Sequence, residues 1–189
     1  MFGLGAAVKN ARWRARCSPA WPAQVSTWLS SKGSLTLRLQ RFFGDCTVCV
    51  NEQGAGMAHA DESAVLGLPG ARKARLRNVT LMADGQPRVV AHSVVKLLGA
   101  QSDWPFWRIL GSRSLGSVLF KDKRVVRGPL MFACLPEQHR LRRQTRKALA
   151  AAGLKSVPKG KMYARRALYQ RHLKRTPLLV TEVFFSVES

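Results

Sequence analysis

Apolar residues recur at helical spacing in two early segments of the chain, residues 22–29 and residues 35–43. The first segment begins with a proline, which is favoured in the first turn of a helix, and Gly33 ends it. Ser34 is a typical N-cap residue for the second segment, which ends at Gly44. The pattern therefore predicts two short helices before residue 45.

Strand-like patterns dominate the rest of the chain. Residues 75–83 and 88–95 are rich in Val, Leu and Thr, and the Asp84-Gly85 pair between them is typical of a tight hairpin turn. Further strands are predicted at residues 46–50, 124–135, 163–172 and 178–186. Hairpin-linked strands of this kind favour a mostly antiparallel sheet.

Two later segments have helical features. Residues 103–120 contain helical turns interrupted by Gly111, and residues 136–152 predict a basic helix that ends at Gly153. Residues 51–73 show no clear period and are interpreted as a connection. Antiparallel strands with flanking helices predict an α+β fold.

Length and composition are those of one globular domain. The chain has 189 residues, of which 46% are hydrophobic and 22% are charged. No apolar run approaches the roughly 20 residues that a membrane-spanning helix needs. The unusual value is the net charge of +22, which first suggests a nucleic-acid or ribosome-like partner, or a site for a small and highly anionic substrate.

The basic residues are unevenly distributed. Residues 121–175 hold 17 of the 32 bases, whereas residues 45–120 hold eight bases and six acids. We interpret residues 1–24 as a non-essential basic arm, with a targeting presequence as the alternative. The bases on the helix predicted at 136–152 form either a phosphate-contacting surface or a solvated helix face.

Glu182 is the first candidate for chemistry, since it is the only charged residue in the strand predicted at 178–186. Strand alternation places it on the same face as Leu178, Val180 and Phe184. If that face is the core, burial favours the protonated carboxyl group, which suits a proton donor or a partner for a hydroxyl. A solvated face, or a structural pair with an arginine, is the alternative.

Arg77 and His92 are the other candidates, one on each strand of the predicted hairpin. A guanidinium group at Arg77 can bind a carboxylate with two parallel hydrogen bonds, although a strand arginine can also extend into water. His92 lies between Val90 and Val94, a position that by itself favours a core histidine over a ligand.

Metal and cofactor motifs are weak or absent. Cys46 and Cys49 have C-x-x-C spacing, but no second such pair or closely spaced His pair completes a zinc site, so buried reduced thiols are favoured and no metal site is predicted. The sequence has no P-loop, no G-x-G-x-x-G and no G-x-S-x-G. Four cysteines do not form a disulfide framework, which favours a cytoplasmic protein.

Three segments, in this order, resemble the chorismate lyase family of bacterial ubiquinone biosynthesis. They are LRNVTLMADGQP at 76–87, LGSVLF at 115–120 and TPLLVTEVF at 176–184, with Trp28-Leu29, Ser34-Leu35-Thr36 and Ala164-Arg165-Arg166 as flanking matches. The resemblance spans roughly residues 25–186, so we take residues 25–189 as the domain. The basic stretch 136–161 looks longer than in compact members of the family and is interpreted as an insertion.

The resemblance implies a fold and an activity. It implies a monomeric α+β domain with an antiparallel sheet of about six strands and helical flaps over the ligand. It also implies a lyase that removes pyruvate from chorismate and leaves 4-hydroxybenzoate, without a metal or organic cofactor. Flaps over a flat aromatic product predict slow release and product inhibition.

The resemblance also implies roles for particular residues. Arg77 binds the ring carboxylate, helped by the backbone amides of Leu35 and Leu115, and Glu182 meets the ring oxygen that becomes the phenol. His92 stands where the family often has a second arginine, so its role as a substrate ligand is a departure from the family pattern.

Two other classes of function stay open. Effector-binding domains of bacterial transcription regulators resemble the same fold and bind small molecules without catalysis. A basic nucleic-acid-binding protein is the second alternative, although the chain carries neither an RNA-recognition signature nor a zinc finger. The pairing of Arg77 with Glu182 favours the enzyme.

Overall fold

Seven antiparallel strands form one sheet in the computed structural model, which describes residues 10–68, 73–96, 104–154, 158–171 and 176–185. The helices are α1 (Ala23–Leu29), α2 (Leu35–Phe43), α3 (Ala60–Val65), α4 (Leu115–Leu119) and α5 (Arg140–Ala151), with a 3₁₀ turn at Pro105–Arg108. The strands are β1 (Thr47–Met57), β2 (Lys73–Ala83), β3 (Gln86–Lys96), β4 (Val125–Arg127), β5 (Met131–Leu135), β6 (Met162–Arg171) and β7 (Leu178–Phe185). The described chain is therefore the α+β fold with an antiparallel sheet that the sequence predicts.

The strand order is β1-β2-β3-β7-β6-β4, and β5 pairs with β6 on the same side as β4. The β2–β3 hairpin turns at Asp84 and Gly85, whose φ angles of 53° and 65° are those of the tight turn that the Asp-Gly pair predicts. Arg77 pairs with Ser93, and Glu182 pairs with Ala91 on one side and with Arg165 on the other. The middle strands thus bring the two predicted site residues onto the same sheet.

One face of the sheet is covered by α1 and α2. Ser34 caps α2 by accepting a hydrogen bond from the backbone N–H of Leu37, and Gly44 ends the helix with φ of 88°. Buried leucines of these helices, Leu29 and Leu39 among them, pack with Val79 of the sheet in one apolar cluster. This packing fixes the position of the N-terminal end of α2 above the sheet.

The opposite face of the sheet is covered by α3 and α5. Leu66, which directly follows α3, packs in an apolar cluster with Leu76 of the sheet, and Leu149 of α5 packs against Val90. The sheet is therefore the middle layer. Alternate residues of each strand point to opposite faces, and so to different helix layers.

The interpretation of residues 51–73 as a connection is wrong over most of its length. Strand β1 continues to Met57, and α3 follows at Ala60–Val65. Most of β1 is exposed, so no period of two separates a buried face from a solvated one. At six residues, α3 is too short to show a helical period.

Other boundaries also differ from the prediction. The strand predicted at 124–135 is two strands, β4 and β5, which are separated around Gly128, whose N–H donates to the carbonyl of Leu168 at 2.8 Å. The helix predicted at 136–152 begins only at Arg140, with His139 as its N-cap. Residues 172 and 186 of the predicted strands, and residues 155–157 of the basic stretch 136–161, lie outside the described residues.

The predicted surface of the basic helix is partly buried. The side chain of Arg142 points into the protein, where it donates to the carbonyls of Lys159 and Gly160 at 3.2 and 2.9 Å. Arg143 and Lys147 are exposed. The helix therefore holds a neighbouring loop as well as presenting charge to solvent.

The described part of the N-terminal arm packs on the domain. Arg14 forms a two-way backbone bridge with Phe132 of β5, and the Trp21 ring lies 5.2 Å from that of Tyr163. Trp13 donates from its indole nitrogen to Asp61 at 3.0 Å. Residues 1–9 of the arm lie outside the described residues, and whether the arm is dispensable stays a prediction. Among the described residues, no helix has the length and apolar character to cross a membrane.

Candidate active site

A cavity lies between the face of the sheet that α1 and α2 cover and the N-terminal ends of α2 and α4. The volume open to the centres of water-sized molecules is about 50 Å³. The cavity is lined by four of the five predicted site residues together with apolar and small polar groups: Gly33, Leu35, Thr36, Val48, Arg77, Val79, Leu81, Ala91, Ser93, Ser114, Leu115, Gly116, Leu119, Phe120, Arg165, Tyr169, Val180 and Glu182.

Arg77 is a buried cation at the β2 side of this cavity, with an exposed fraction of 2%. Its guanidinium group donates to the side-chain oxygen of Gln53, to the carbonyl of Gly111 at 2.7 Å and to that of Arg113 at 3.3 Å. All three acceptors are neutral. No carboxylate pairs with Arg77 among the residues that the structure describes.

Burying a guanidinium group without a carboxylate partner costs free energy, because the charged group loses its hydration. Proteins therefore normally pair buried charges. Burial lowers the pKa of Arg77, the direction expected when the charged form is incompletely compensated. An anionic ligand would supply the missing charge. The neutral acceptors fix the orientation of the guanidinium group, so it is preorganised for a carboxylate.

Glu182 lies across the cavity on β7 and is paired with an arginine. The Nε atom of Arg165 on β6 donates to Oε2 of Glu182. Arg165 is itself 2% exposed and donates to the carbonyl of Ser31 at 2.8 Å and to its hydroxyl at 2.9 Å. The structural pairing weighed from the sequence is therefore present, and it also holds the carboxylate at the cavity wall.

Arg165 is a functional candidate that the sequence prediction of site residues does not include. It occurs only as a flanking match in the resemblance, yet strand alternation places it on the same face as Tyr163, Ala167 and Tyr169. An arginine on the apolar face of a strand is the same signal that singled out Arg77. Applied to β6, that signal would have found it.

Two helix N-termini close the cavity on the side away from the sheet. Leu35 and Leu115 are the first residues of α2 and α4, so their backbone N–H groups have no partner within the helix. Ser34 and Ser114 cap the two helices. The hydroxyl of Thr36 lies 3.0 Å from that of Ser114, so the two helix ends touch each other over the cavity.

The remainder of the lining is mostly apolar. Val79, Leu81 and Ala91 form part of the sheet face, and Phe120 and Tyr169 contribute aromatic rings. Burial raises the pKa of Tyr169 to about 12, and the nearby Glu182 adds to this, so its phenol stays neutral. A flat apolar ring with polar groups at opposite ends matches these surroundings.

His92 does not line the cavity. Its neighbours Ala91 and Ser93 do, and residues next to each other on a strand point to opposite faces. The ring is buried on the other side of the sheet, where it contacts Asn78 and Glu62. The structure thus brings together Arg77, Leu35, Leu115 and Glu182 but separates His92 from them, so we remove His92 from the candidate site.

The cavity offers no set of metal ligands. Glu182 is its only acid, and no His or Cys lines it in the described part of the chain. Cys46 and Cys49 are free thiols; Cys46 is half-buried and Cys49 is exposed, so the expectation of buried thiols is wrong for Cys49 and only partly met by Cys46.

Comparison with known sequences points to one family. The family model described as "Chorismate lyase" matches residues 7–188. A "Probable chorismate pyruvate-lyase" of Aromatoleum aromaticum is 40% identical over 168 residues, which cover 88% of this chain and 86% of that protein. A protein of the same name from Ralstonia nicotianae is 36% identical over 189 residues, with 97% and 93% covered.

Similar solved structures include domains of transcription regulators. The effector domain of PhnF from Mycobacterium smegmatis has a TM-score of 0.53 and 15% identity, with 82% of this chain and 89% of that one covered. The C-terminal domain of the histidine utilization repressor of Pseudomonas syringae pv. tomato has a TM-score of 0.53 and 9% identity, with 76% and 96% covered. At these identities the likeness shows the fold alone.

Proposed function

The chain belongs to the chorismate lyase family, and on that premise we propose that it is a chorismate–pyruvate lyase that converts chorismate into 4-hydroxybenzoate and pyruvate. The observation that carries the proposal is the buried guanidinium group of Arg77, which has no carboxylate partner among the described residues and faces a partly enclosed cavity whose lining residues are mostly apolar. Chorismate is a dianion, and one of its two carboxylates is attached to its cyclohexadiene ring. That ring carboxylate would supply the negative charge that the guanidinium group of Arg77 has no partner for among the described residues.

Binding at Arg77 sets the position of the ring. With the ring carboxylate on Arg77, the amides of Leu35 and Leu115 are available as further donors, and the apolar face formed by Val79 and Leu81 contacts the ring. The opposite end of the ring then points towards Glu182. In this pose Glu182 accepts a hydrogen bond from the ring hydroxyl that becomes the phenol.

The reaction is an elimination that leaves an aromatic ring. The bond between the ring and the enolpyruvyl oxygen breaks, and the adjacent hydroxyl-bearing carbon loses its proton, whose bonding electrons complete the ring. The departing enol gains one proton on its methylene carbon and becomes pyruvate. No electrons are exchanged with an outside partner, so the protein has to orient the substrate and stabilise the shifting charge.

Glu182 and Arg165 act together where charge shifts. Glu182 accepts a hydrogen bond from the ring hydroxyl while the carbon that bears this hydroxyl loses its proton. Arg165 holds the carboxylate of Glu182 in place. We assign catalysis to Glu182 and Arg77, and a positioning role to Arg165. We further propose, on the family resemblance, that a cytoplasmic monomer performs this step as the first committed reaction of ubiquinone biosynthesis.

The test is direct product analysis. Purified protein mixed with chorismate should form pyruvate and 4-hydroxybenzoate in equal amounts, well above the rate of a protein-free control. Saturable binding of chorismate without either product would instead support a small-molecule sensor. A salt-dependent shift of generic DNA, again without product, would support a nucleic-acid-binding protein.

A further inference from the structure

Three buried side chains meet on the face of the sheet that is opposite to the candidate active site. His59 is the N-cap residue of α3, Glu62 lies in the first turn of that helix, and His92 lies in the middle of β3. Their exposed fractions are 4%, 2% and 1%. One ligand atom from each lies within 4.8 Å of the other two.

The two imidazole rings face the same carboxylate oxygen. Oε1 of Glu62 lies 3.2 Å from Nε2 of His92 and 3.5 Å from Nδ1 of His59. The rings are stacked, with centroids 5.1 Å apart and planes within 8° of parallel. The other carboxylate oxygen, Oε2, accepts a hydrogen bond from the backbone N–H of His59 at 2.9 Å, which fixes the orientation of the carboxylate.

Hydrogen bonding behind His92 determines which of its nitrogens is free. The side-chain oxygen of Asn78 contacts Nδ1 of His92, and the amide nitrogen of Asn78 donates to Glu52 at 2.9 Å. Because the Glu52 carboxylate can only accept, the oxygen of Asn78 must face the histidine, and Nδ1 of His92 must donate. With Nδ1 as the donor, Nε2 is the ligand atom of His92, and it lies 3.2 and 3.3 Å from the two carboxylate oxygens of Glu62.

A proton alone does not satisfy this arrangement. Two acceptors 3.2 Å apart need a positive centre between them, and a proton on Nε2 of His92 would serve that pair. It would leave Nδ1 of His59, which is buried and whose two polar neighbours, the backbone N–H of Glu62 and Oε1 of Glu62 at 3.5 Å, lie outside hydrogen-bond geometry. Buried polar atoms without a partner are rare and need an explanation.

We propose that His59, Glu62 and His92 bind a divalent transition-metal ion, zinc being the ion that best fits this ligand set. Two imidazole nitrogens and one carboxylate oxygen are typical zinc ligands at 2.0–2.2 Å. Tetrahedral ligands at that distance from the ion are about 3.3–3.5 Å apart. Two of the three separations, 3.2 and 3.5 Å, lie within about 0.1 Å of that spacing, and the third is no more than 4.8 Å.

The surroundings resemble those of known histidine–metal sites. Metal-bound histidines usually donate their second ring nitrogen to an oxygen acceptor, as His92 does to Asn78. Glu62 is supported in a comparable way, since its Oε2 accepts a hydrogen bond from the backbone N–H of His59 at 2.9 Å.

The consequence of binding would be structural. The ion would join α3 to the central strand β3, and hence tie down the segment between β1 and β2 from behind the sheet. His59 and His92 lie far apart in the chain, so no spacing motif in the sequence marks them as metal ligands. The proposal does not depend on the proposed lyase activity, since the cavity lies on the other face.

The test is zinc retention by the full-length chain. Protein stripped with chelator, incubated with zinc chloride and passed through a desalting column should keep about one zinc per chain by elemental analysis. Zinc at a hundredfold excess over its Kd should raise the Tm by roughly 5–10 °C. His59→Gln and His92→Gln should both lose the retained zinc.

Matched controls separate this site from adventitious binding. His139→Asn removes a nearby buried histidine but keeps a residue able to cap α5, and Cys46→Ser/Cys49→Ser removes the C-x-x-C thiols. Both controls should keep the zinc. Retention by His59→Gln, loss in either control, or failure of the wild type to retain zinc would overturn the proposal.

X-ray absorption at the zinc edge tests the wild type alone and does not depend on whether any variant folds. The expected spectrum has only nitrogen and oxygen neighbours, with the outer scattering of about two imidazole rings. A sulfur neighbour near 2.3 Å would place the ion at a cysteine and contradict the assignment.

Discussion

At the scale of single residues, the cavity holds two buried guanidinium groups in opposite states. Arg165 is paired with Glu182 and donates to the carbonyls of Leu29, the last residue of α1, and of Ser31. Arg77 is surrounded by neutral acceptors only, among the described residues. Arg77 and Arg165 are equally buried, so the difference in their partners indicates that Arg77 is the residue that binds an anionic ligand.

Replacing Arg77 should therefore weaken substrate binding. Loss of a hydrogen-bonded charge costs about 1.5–3 kcal/mol, which corresponds to a rise in KM for chorismate of roughly 10- to 150-fold in Arg77→Gln. Steady-state kinetics measure this directly. Arg75→Gln removes the same charge two residues earlier on β2, outside the cavity lining, and should leave KM within about twofold of the wild type. An unchanged KM in Arg77→Gln would contradict the assigned role.

Glu182 should affect turnover more than binding. Glu182→Gln keeps the size of the side chain but removes its charge, and kcat should fall roughly a hundredfold or more. Glu137→Gln is the matched control, since Glu137 also pairs with an arginine, Arg142, but lies outside the cavity. Thermal unfolding separates lost stability from lost chemistry, because removing the partner of buried Arg165 also weakens the fold. Full turnover in a folded Glu182→Gln protein would remove Glu182 from the mechanism.

The thiols give a prediction at the same scale. Burial raises the pKa of Cys46 to about 11, with a further contribution from Asp45, so only about one thousandth of it is thiolate at pH 8. Cys49 is exposed. Iodoacetamide at pH 8 should therefore label Cys49 first, and Cys49→Ser should abolish the fast label in mass spectrometry. Equal labelling of Cys46 would contradict its assigned burial.

At the scale of elements, the cavity is closed where α2 and α4 meet. The contact joins Thr36 at the start of α2 to Ser114, the cap of α4, with a separation of 3.0 Å between hydroxyl oxygens. Gly116 lies close by, since a Cβ there would stand 3.3 Å from the hydroxyl of Ser34. Ligand exchange through this side requires the two helix ends to separate.

Loosening that contact should speed product release. In the wild type we expect a burst of 4-hydroxybenzoate followed by a slower steady rate, because the lid must open for each product. Thr36→Val removes one hydrogen bond, which at about 0.5–1.5 kcal/mol should raise the steady rate roughly two- to twelvefold. Thr27→Val, whose hydroxyl bonds within α1, is the control and should keep the wild-type rate. A linear wild-type time course would exclude a release-limited lid.

Elements with one clear signal were predictable from the sequence. Helix α2 carries both its caps, and the β2–β3 hairpin carries its turn, so local chemistry determines each of them. Strand β1 escaped prediction beyond Val50 because neither of its faces is buried for most of its length. Helix α3, which brings His59 and Glu62 together, is too short to produce a period.

The candidate site was predictable to the extent that it depends on strand faces. Arg77 and Glu182 stood out as charged residues on apolar strand faces, and the fold places both at one cavity. The face of His92 was not assigned from the sequence, because Val90 and Val94 on its own side are as apolar as the residues on the other. Pairing of β3 with β2 and β7, which only the tertiary structure supplies, decides which face meets which helix layer.

At the scale of the whole molecule, the sheet separates two regions with different chemistry. The candidate active site lies on the side of α2 and α4, whereas the His59–Glu62–His92 cluster and α5 lie on the other. Much of the excess positive charge belongs to residues 121–175, which include α5. Charges on the far side cannot touch a ligand in the cavity, so they can act on it only through the long-range field.

That field should draw a dianionic substrate towards the protein. A net charge of +22 is screened over about 10 Å at 0.1 M salt but over about 30 Å at 0.01 M, so kcat/KM for chorismate should fall as sodium chloride is added while kcat stays nearly constant. Arg143→Glu/Lys147→Glu reverses two exposed charges of α5 and should lower both kcat/KM at low salt and its dependence on salt. Arg143→Lys keeps the charge and should match the wild type. A kcat/KM that does not vary with salt would show that the excess charge does not guide the substrate. It would instead favour an anionic macromolecule as the partner of the basic helix.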